Sequence, residues 1–505
     1  MRPLGVALER AAVRSAAVLA PTLIVGLAAW RFVVLARGPS PATIDMGNWL
    51  RHAASWRGAP GAPAITGYPP VVPWLAGLFD AVVGPRYAVA GLGAVAGVLL
   101  GLAIIWIGRA AGRTATAVGV AAAVASAAGA EVVAWGGFPQ AIGLATGLVT
   151  VHAAARYRRG GPLAPAVLAG LATVATSHLV TAAVAAAVAV VVALPAQPAR
   201  PHSARSRGLV ALVALAALAA VLHGPLVLAA ATAADRPRVS VAAAERILGP
   251  AWLLAVVVGG AVVALAVAGV AQRRPTTALG ATALACCAGW SVALGVTGEP
   301  RYLHDGPVLA VLAGLAGWSL LLGCVRARPP RQPRLGLAAV GLGATTAAAA
   351  VALGIGSFGA AVERYRVVAP ETAAAAAWLR SATPPGSPIA VSDVGGAPLG
   401  WWVGALADRP VRSGGDLRWL YGPDERTTAV AVNRLFRSAA DPTAAARALG
   451  TAYVLVVPGG PRPLTTAFPA VWQAGGAAVL AVPEPSPESS SQPSAEPPKS
   501  SGSRT

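Results

Sequence analysis

Charge is scarce in this 505-residue chain. Asp, Glu, Lys and Arg make up 11% of it, against about 25% in soluble domains. That shortage, with 56% hydrophobic residues, excludes an ordinary soluble protein and indicates a polytopic membrane protein. Lysine is almost missing, with Lys499 alone in the chain, so arginine carries nearly all the positive charge. Such Ala/Gly/Arg-rich usage is that of a high-GC, actinobacteria-like genome. Cysteine is sparse as well: Cys286, Cys287 and Cys324 lie in or at the edge of apolar runs, which excludes a disulfide framework and a CxxC metal site. Aromatics are only 5%; Ala, Val, Leu and Gly supply the apolar character, and small residues let helices approach closely in lipid. There is no P-loop, GxSxG, HExxH or sustained DxD motif, and no repeat of solenoid length.

What is there is a series of apolar runs near 15–36, 87–107, 114–130, 138–155, 163–177, 178–194, 208–231, 251–271, 276–296, 305–325 and 335–356. They predict about eleven transmembrane helices. The stretch 69–86 is apolar too, but it opens on two prolines and contains Asp80, so it is expected to be re-entrant or interfacial. The net charge of +20 would suit nucleic acid if it were concentrated in one patch. Instead the arginines form short clusters between alternate runs, the positive-inside pattern, so no nucleic-acid partner is expected. Arg2, Arg10 and Arg14 precede the first run without a cleavage site after it. This predicts a signal anchor, a cytoplasmic N-terminus and a multi-pass protein of the plasma membrane. Acids before residue 360, apart from Glu9, then fall on or near the outer face, which suggests a polar chamber there.

Composition changes after residue 360. Residues 365–483 are expected to form a small extracytoplasmic α/β domain, with strands at 389–392, 453–457 and 477–482. Helices are predicted over 371–381 and 424–439, with a short one opened by Asp441-Pro442. From 484 to 505 the chain is rich in Pro, Ser and Glu and is expected to be disordered. The remainder, 1–360, is the membrane domain, with the outer loop 37–70 at its functional centre.

That loop holds one acid, Asp45, followed by Asn48, Trp49, Arg51, His52, Trp56 and Arg57, and closes on Tyr68-Pro69-Pro70. A carboxylate at the water end of a membrane helix can take a proton from an attacking hydroxyl; it can also simply cap the helix that begins at Met46. Trp135-Gly136-Gly137-Phe138-Pro139-Gln140 is a helix–helix turn beside Glu131. His178 lies between two short apolar runs, and an ionisable group there is a functional candidate, although a lone histidine also serves as a hydrogen-bonded structural residue. His223, before Gly224-Pro225, marks a helix kink. Glu299-Pro300-Arg301-Tyr302-Leu303-His304-Asp305 is the densest polar cluster near the outer face. Arg301 suits a phosphate, since guanidinium matches its oxygens bidentately; the alternative is an ion pair with Glu299 or Asp305.

Taken together, these residues resemble the membrane-embedded GT-C glycosyltransferases, among them protein O-mannosyltransferases, oligosaccharyltransferase catalytic subunits and arabinofuranosyltransferases. The resemblance lies in the inner signal anchor, the first outer loop carrying Asp45 and ending in Tyr68-Pro69-Pro70, the many further spans and the outer C-terminal domain. It implies transfer of a sugar from a polyprenyl-phosphate donor to an extracytoplasmic glycan, lipid or protein acceptor of the cell envelope. Asp45 would then be catalytic, with Tyr68, Trp135, Gln140, His178, Glu299, Arg301 and His304 binding substrate. Many members carry paired acids in the first loop, whereas Asp45 is followed by Met46 and Gly47. A divalent cation, Mg or Mn, is therefore allowed by the resemblance but not required. A transporter or flippase for lipid-linked sugars, and a non-catalytic envelope scaffold, are the alternative classes. The former should show midplane charges and repeat symmetry.

Overall fold

The structure, a computed structural model, describes residues 21–58, 68–109, 130–194, 210–224, 278–326, 356–417, 420, 423–461 and 464–484. The runs expected at 114–130, 251–271 and 335–356 lie almost wholly outside these residues, as do the start of the signal anchor and the 485–505 tail.

Helix α1 (Pro21–Ala36) leads into the loop, which carries α2 (Met46–Trp56). Next comes α3 (Val71–Val83), stopped by Gly84, and then α4 (Pro85–Arg109). At 13 residues and about 1.5 Å per residue, α3 is too short to cross a hydrocarbon core of about 30 Å. It packs Val72 and Ala76 inward and exposes Trp74, Leu78 and Val82. The exposed residues form an apolar stripe at i, i+4 and i+8.

The bundle continues with α5 (Ala130–Trp135), α6 (Phe138–Tyr157), α7 (Ala164–Thr176), α8 (His178–Ala193) and α9 (Val210–Gly224). It resumes in α10 (Ala278–Thr297), a 3-10 turn (Pro300–Asp305) and α11 (Gly306–Arg326). Helix α6 is almost wholly buried and packs against α4, α7, α8 and α10. Ala183, Ala187 and Ala285 line the interior, where small side chains permit close helix approach. Among the described residues, α4, α6 and α10 are long and apolar enough to span a bilayer. The polytopic helical class is therefore observed, while a count of eleven spans reaches beyond these residues.

A further helix, α12 over 356–364, precedes the sheet-bearing region. There α13 (Pro370–Ala382), β1 (Ile389–Val391), α14 (Gly400–Ala407) and β2 (Val411–Ser413) come first. They are followed by α15 (Pro423–Arg437), α16 (Pro442–Ala448), β3 (Tyr453–Val456), β4 (Ala470–Ala474) and β5 (Ala477–Ala481). The order is β2-β1-β3-β5-β4. The first three strands are parallel, with helical crossovers between them, and the last two join antiparallel. Asp441 caps α16 by accepting from the Ala444 amide at 3.0 Å, with Pro442 just inside the helix.

One apolar core runs from Leu35, Met46 and Trp49 through Val133 and Phe138 to Phe358, Ile389, Trp402 and Val479. The loop that follows α1 thus shares its core with the sheet region. A second core fills the bundle between α4, α6, α8, α10 and α11.

Candidate active site

The Asp45 loop is held by backbone and indole hydrogen bonds rather than by its own helix. The Ile44 and Asp45 amides both donate to the Trp135 carbonyl, at 3.2 and 3.1 Å. Trp49 Nε1 donates to the Gly136 carbonyl at 2.8 Å, and Trp402 Nε1 to the Thr43 carbonyl at 2.8 Å. Gly136 has φ +95°, and a Cβ there would lie 3.1 Å from the Asp45 amide nitrogen; glycine satisfies both the left-handed backbone and the close approach. Thr43, a non-glycine residue, sits at φ 74°, a conformation of order 1–3 kcal/mol that persists only where the surroundings impose it. Here Trp402 and the Trp135–Gly137 turn impose it. Gly47 completes the clamp, because a Cβ there would lie 2.6 Å from the Trp402 amide nitrogen.

Asp45 begins α2 without capping it, and among the described residues its carboxylate accepts no hydrogen bond. Burial pushes its pKa up to about 7, with the Arg301 cation pulling in the opposite direction. A desolvated carboxylate of this kind has the basicity to take a proton near neutral pH.

The neighbouring wall is the 300–305 turn. Glu299 binds Arg301 in a fork, Oε1 to Nε and Oε2 to Nη2, each at 2.9 Å. Both side chains are largely buried, at 17% and 6% exposure, so this is not the loose surface pair that contributes little. Burial opposes the Arg301 charge, but Glu299, Tyr68 and Asp45 outweigh it and raise the guanidinium pKa. Gln140 Nε2 donates to the Arg301 carbonyl at 2.7 Å and to Asp305 Oδ1 at 2.9 Å. Trp290 Nε1 donates to Asp305 Oδ2 at 2.7 Å, and the Tyr302 hydroxyl to the Leu179 carbonyl at 2.9 Å. Burial lifts Asp305 to about 7, against the Trp290 and Gln140 hydrogen bonds.

Tyr68 joins these parts. Its ring centroid lies 5.2 Å from Trp49, 4.8 Å from His52 and 5.5 Å edge-on from His178. Burial raises its phenol pKa, which Arg301 lowers and Asp45 raises, so both charges act on it. His304 packs by Trp135 at 6.3 Å, and burial followed by Arg301 lowers its pKa to about 4. His52 falls to about 3, through burial and then Arg51. Both imidazoles are neutral at pH 7. His223, at the end of α9, contacts the Val174 carbonyl through Nε2 at 2.7 Å, with its ring 6.4 Å from His178.

The sequence-predicted residues thus fall into one contiguous network. Asp45, Tyr68 and Arg301 share its electrostatics, His178 adjoins Tyr68, and Trp135 and His304 form a wall. Gln140 spends its amide N–H groups on the 300–305 turn, which it holds in place. Sequence reading passed over Thr43, Trp290 and Trp402, and it named Asp305 without assigning it a part. The two consecutive tryptophans at 401–402 were the available signal.

Among the described residues no three His, Cys, Asp or Glu side chains gather where a metal could bind. Asp45 is the single acid of its loop, Glu299 is committed to Arg301, and Asp305 to Trp290 and Gln140. The donor set does not fit a divalent cation held by protein ligands, and no step below is routed through one.

No family model matches the chain, and no curated protein matches it. Solved structures do. One is the archaeal oligosaccharyltransferase AglB from Archaeoglobus fulgidus, in complex with an inhibitory peptide and a dolichol-phosphate. It is 14% identical with a TM-score of 0.50, covering 86% of this chain and 69% of that one. Another is ArnT from Cupriavidus metallidurans bound to undecaprenyl phosphate, 17% identical with a TM-score of 0.54, covering 91% of this chain and 97% of that one. The chain shares its fold with both of these proteins.

Proposed function

We propose that this protein is a membrane glycosyltransferase that moves a sugar from a polyprenyl-phosphate donor to an acceptor hydroxyl. The reading rests on one observation above the others: Asp45, a desolvated carboxylate that accepts no hydrogen bond among the described residues, is coupled electrostatically to the largely buried cation Arg301. The fold shared with proteins solved with dolichol-phosphate and undecaprenyl phosphate supplies the donor class.

In this reading Asp45 takes the proton of the acceptor hydroxyl as its oxygen attacks the anomeric carbon. The bond from that carbon to the phosphate oxygen breaks, and the polyprenyl phosphate leaves with the electron pair. Charge develops on the leaving phosphate, and stabilising such charge is usually a large catalytic contribution. This role is assigned to Arg301, whose guanidinium is held by Glu299 and whose carbonyl accepts from Gln140. Tyr68 and His178, whose rings meet edge-on at 5.5 Å, and Trp135 and His304, at 6.3 Å, are assigned to substrate contact in this reading.

The arginine clusters support a cytoplasmic N-terminus and an extracytoplasmic region 365–483, with 1–360 as the membrane domain. The acceptor is then an envelope glycan, lipid or protein. A reporter active only in the cytoplasm should give signal when fused at Ala327 and none at Gly459.

The test of function uses purified protein, labelled polyprenyl-phosphate sugars and envelope glycan acceptors. Wild type should transfer label, and Asp45→Asn should lose about 10²–10⁴-fold in turnover. Wild-type transfer by Asp45→Asn would move the transporter and scaffold readings ahead.

A further inference from the structure

A cavity of about 660 Å³ lies between the segment 37–44, which leads to Asp45, and the sheet region. Ligand pockets span about 300–1,000 Å³, so it has room for a small glycan. Its lining includes Ile44, the residue before Asp45, and Gly395 and Pro458, which follow β1 and β3. The cavity therefore faces the carboxyl ends of two parallel strands. The chain leaves β1 for β2 on one side while β3 flanks the other, the switch point where open α/β sheets bind ligands.

Its charge is one-sided: Arg37, Arg364 and Arg366 line it against a single acid, Glu363. Arg366 braces the wall, with Nη1 donating to the Ser40 carbonyl at 2.5 Å and Nε reaching Glu363 at 3.3 Å. Arg364 is 65% exposed and stands 3.9 Å from Glu131, whose carboxylate already accepts the Tyr365 hydroxyl at 2.6 Å. Arg37 is exposed and has no side-chain hydrogen bond or ion pair among the described residues. Guanidinium forks match phosphate and carboxylate oxygens. We infer that this cavity binds an anionic sugar, one carrying a phosphate or a carboxylate, and presents its hydroxyl to Asp45 as the acceptor.

The acceptor role rests on the transfer reading, but the binding does not, so binding is what should be measured. Full-length protein in phosphatidylcholine nanodiscs is dialysed to equilibrium against labelled glucose 6-phosphate, glucuronate or glucose. The two anionic sugars should bind saturably and glucose should not. Combined Arg37→Gln and Arg364→Gln should weaken binding about tenfold or more. Arg412→Gln, an exposed arginine on β2 outside the cavity, should leave it unchanged. Wild type that binds the anionic probes but transfers no label to them overturns the transfer reading alone. Equal binding of glucose, or full binding by the double variant, overturns the anionic site. Discs containing phosphatidylinositol separate the two sources: displacement of the soluble probe assigns the cavity to a lipid headgroup, and retention assigns it to a soluble glycan.

Discussion

The Asp45 loop and the 300–305 turn each hold an acid whose pKa burial lifts to about 7, and they treat it differently. Asp305 is 0% exposed, and each of its oxygens accepts a hydrogen bond, from Trp290 and from Gln140. Asp45 keeps partial exposure, and the hydrogen bonds that hold its loop run through backbone amides and carbonyls and the Trp49 and Trp402 indoles, none of them to its carboxylate. The protein anchors the Asp45 amide, its carbonyl neighbours and its helix, but leaves the carboxylate free. A buried acid with both oxygens satisfied is a fixed part of the scaffold. A buried acid with neither satisfied has been desolvated without compensation, and an incoming hydroxyl can supply that compensation.

Substitution should separate the two acids. Asp45→Asn should remove about 10²–10⁴-fold of turnover with melting temperature unchanged or raised, because an uncompensated carboxylate is lost. Asp305→Ala should do the reverse in stability. It strands the Trp290 and Gln140 donors at about 1–3 kcal/mol each, and a thermal melt in detergent should show a clear drop. Its effect on turnover should come through a loosened Arg301, and Asp305→Asn, which keeps an acceptor, should recover part of both.

Smaller effects test the anchoring. Gly47→Ala forces a Cβ toward the Trp402 backbone, and overpacking of this kind costs about 1–3 kcal/mol. Hydrogen exchange should rise in both α2 and α14. At the edge of the same contact, Arg51 pairs with Glu425 at 2.8 Å and lies over Trp401 at 5.8 Å. Glu425→Ala removes this part-buried pair and the acceptor of the Trp401 indole N–H at 3.1 Å, and should cost about 1–2 kcal/mol in the melt.

Much of this arrangement was legible locally. The Gly-Gly-Phe-Pro sequence predicted the 135–140 turn, Asp441-Pro442 predicted a capped helix, and the Val/Ile-rich stretches at 389, 453 and 477 became β1, β3 and β5. The strands passed over were β2, three residues long, and β4, with a mostly exposed edge sequence; neither has the alternation that marks a half-buried strand. What local patterns could not carry is contact at long range. Nothing near Thr43 announces that Trp402, 359 residues away, holds its carbonyl, or that Tyr68 packs against His178. The site residues were found by type, since acids and histidines are rare in this chain. The partners that hold them were ordinary tryptophans and glycines among many.

The free state of the Asp45 carboxylate is best tested by the pH dependence of kcat/KM for transfer, which reports groups of the unliganded enzyme. A base works only when deprotonated, so wild type should lose about tenfold per unit as pH falls below about 7 and level off above it. Asp305→Asn should keep that limb, and the residual activity of Asp45→Asn should lack it. A wild-type profile flat from about pH 5 to 8, or a limb that survives in Asp45→Asn, would contradict the assignment of Asp45 as the base.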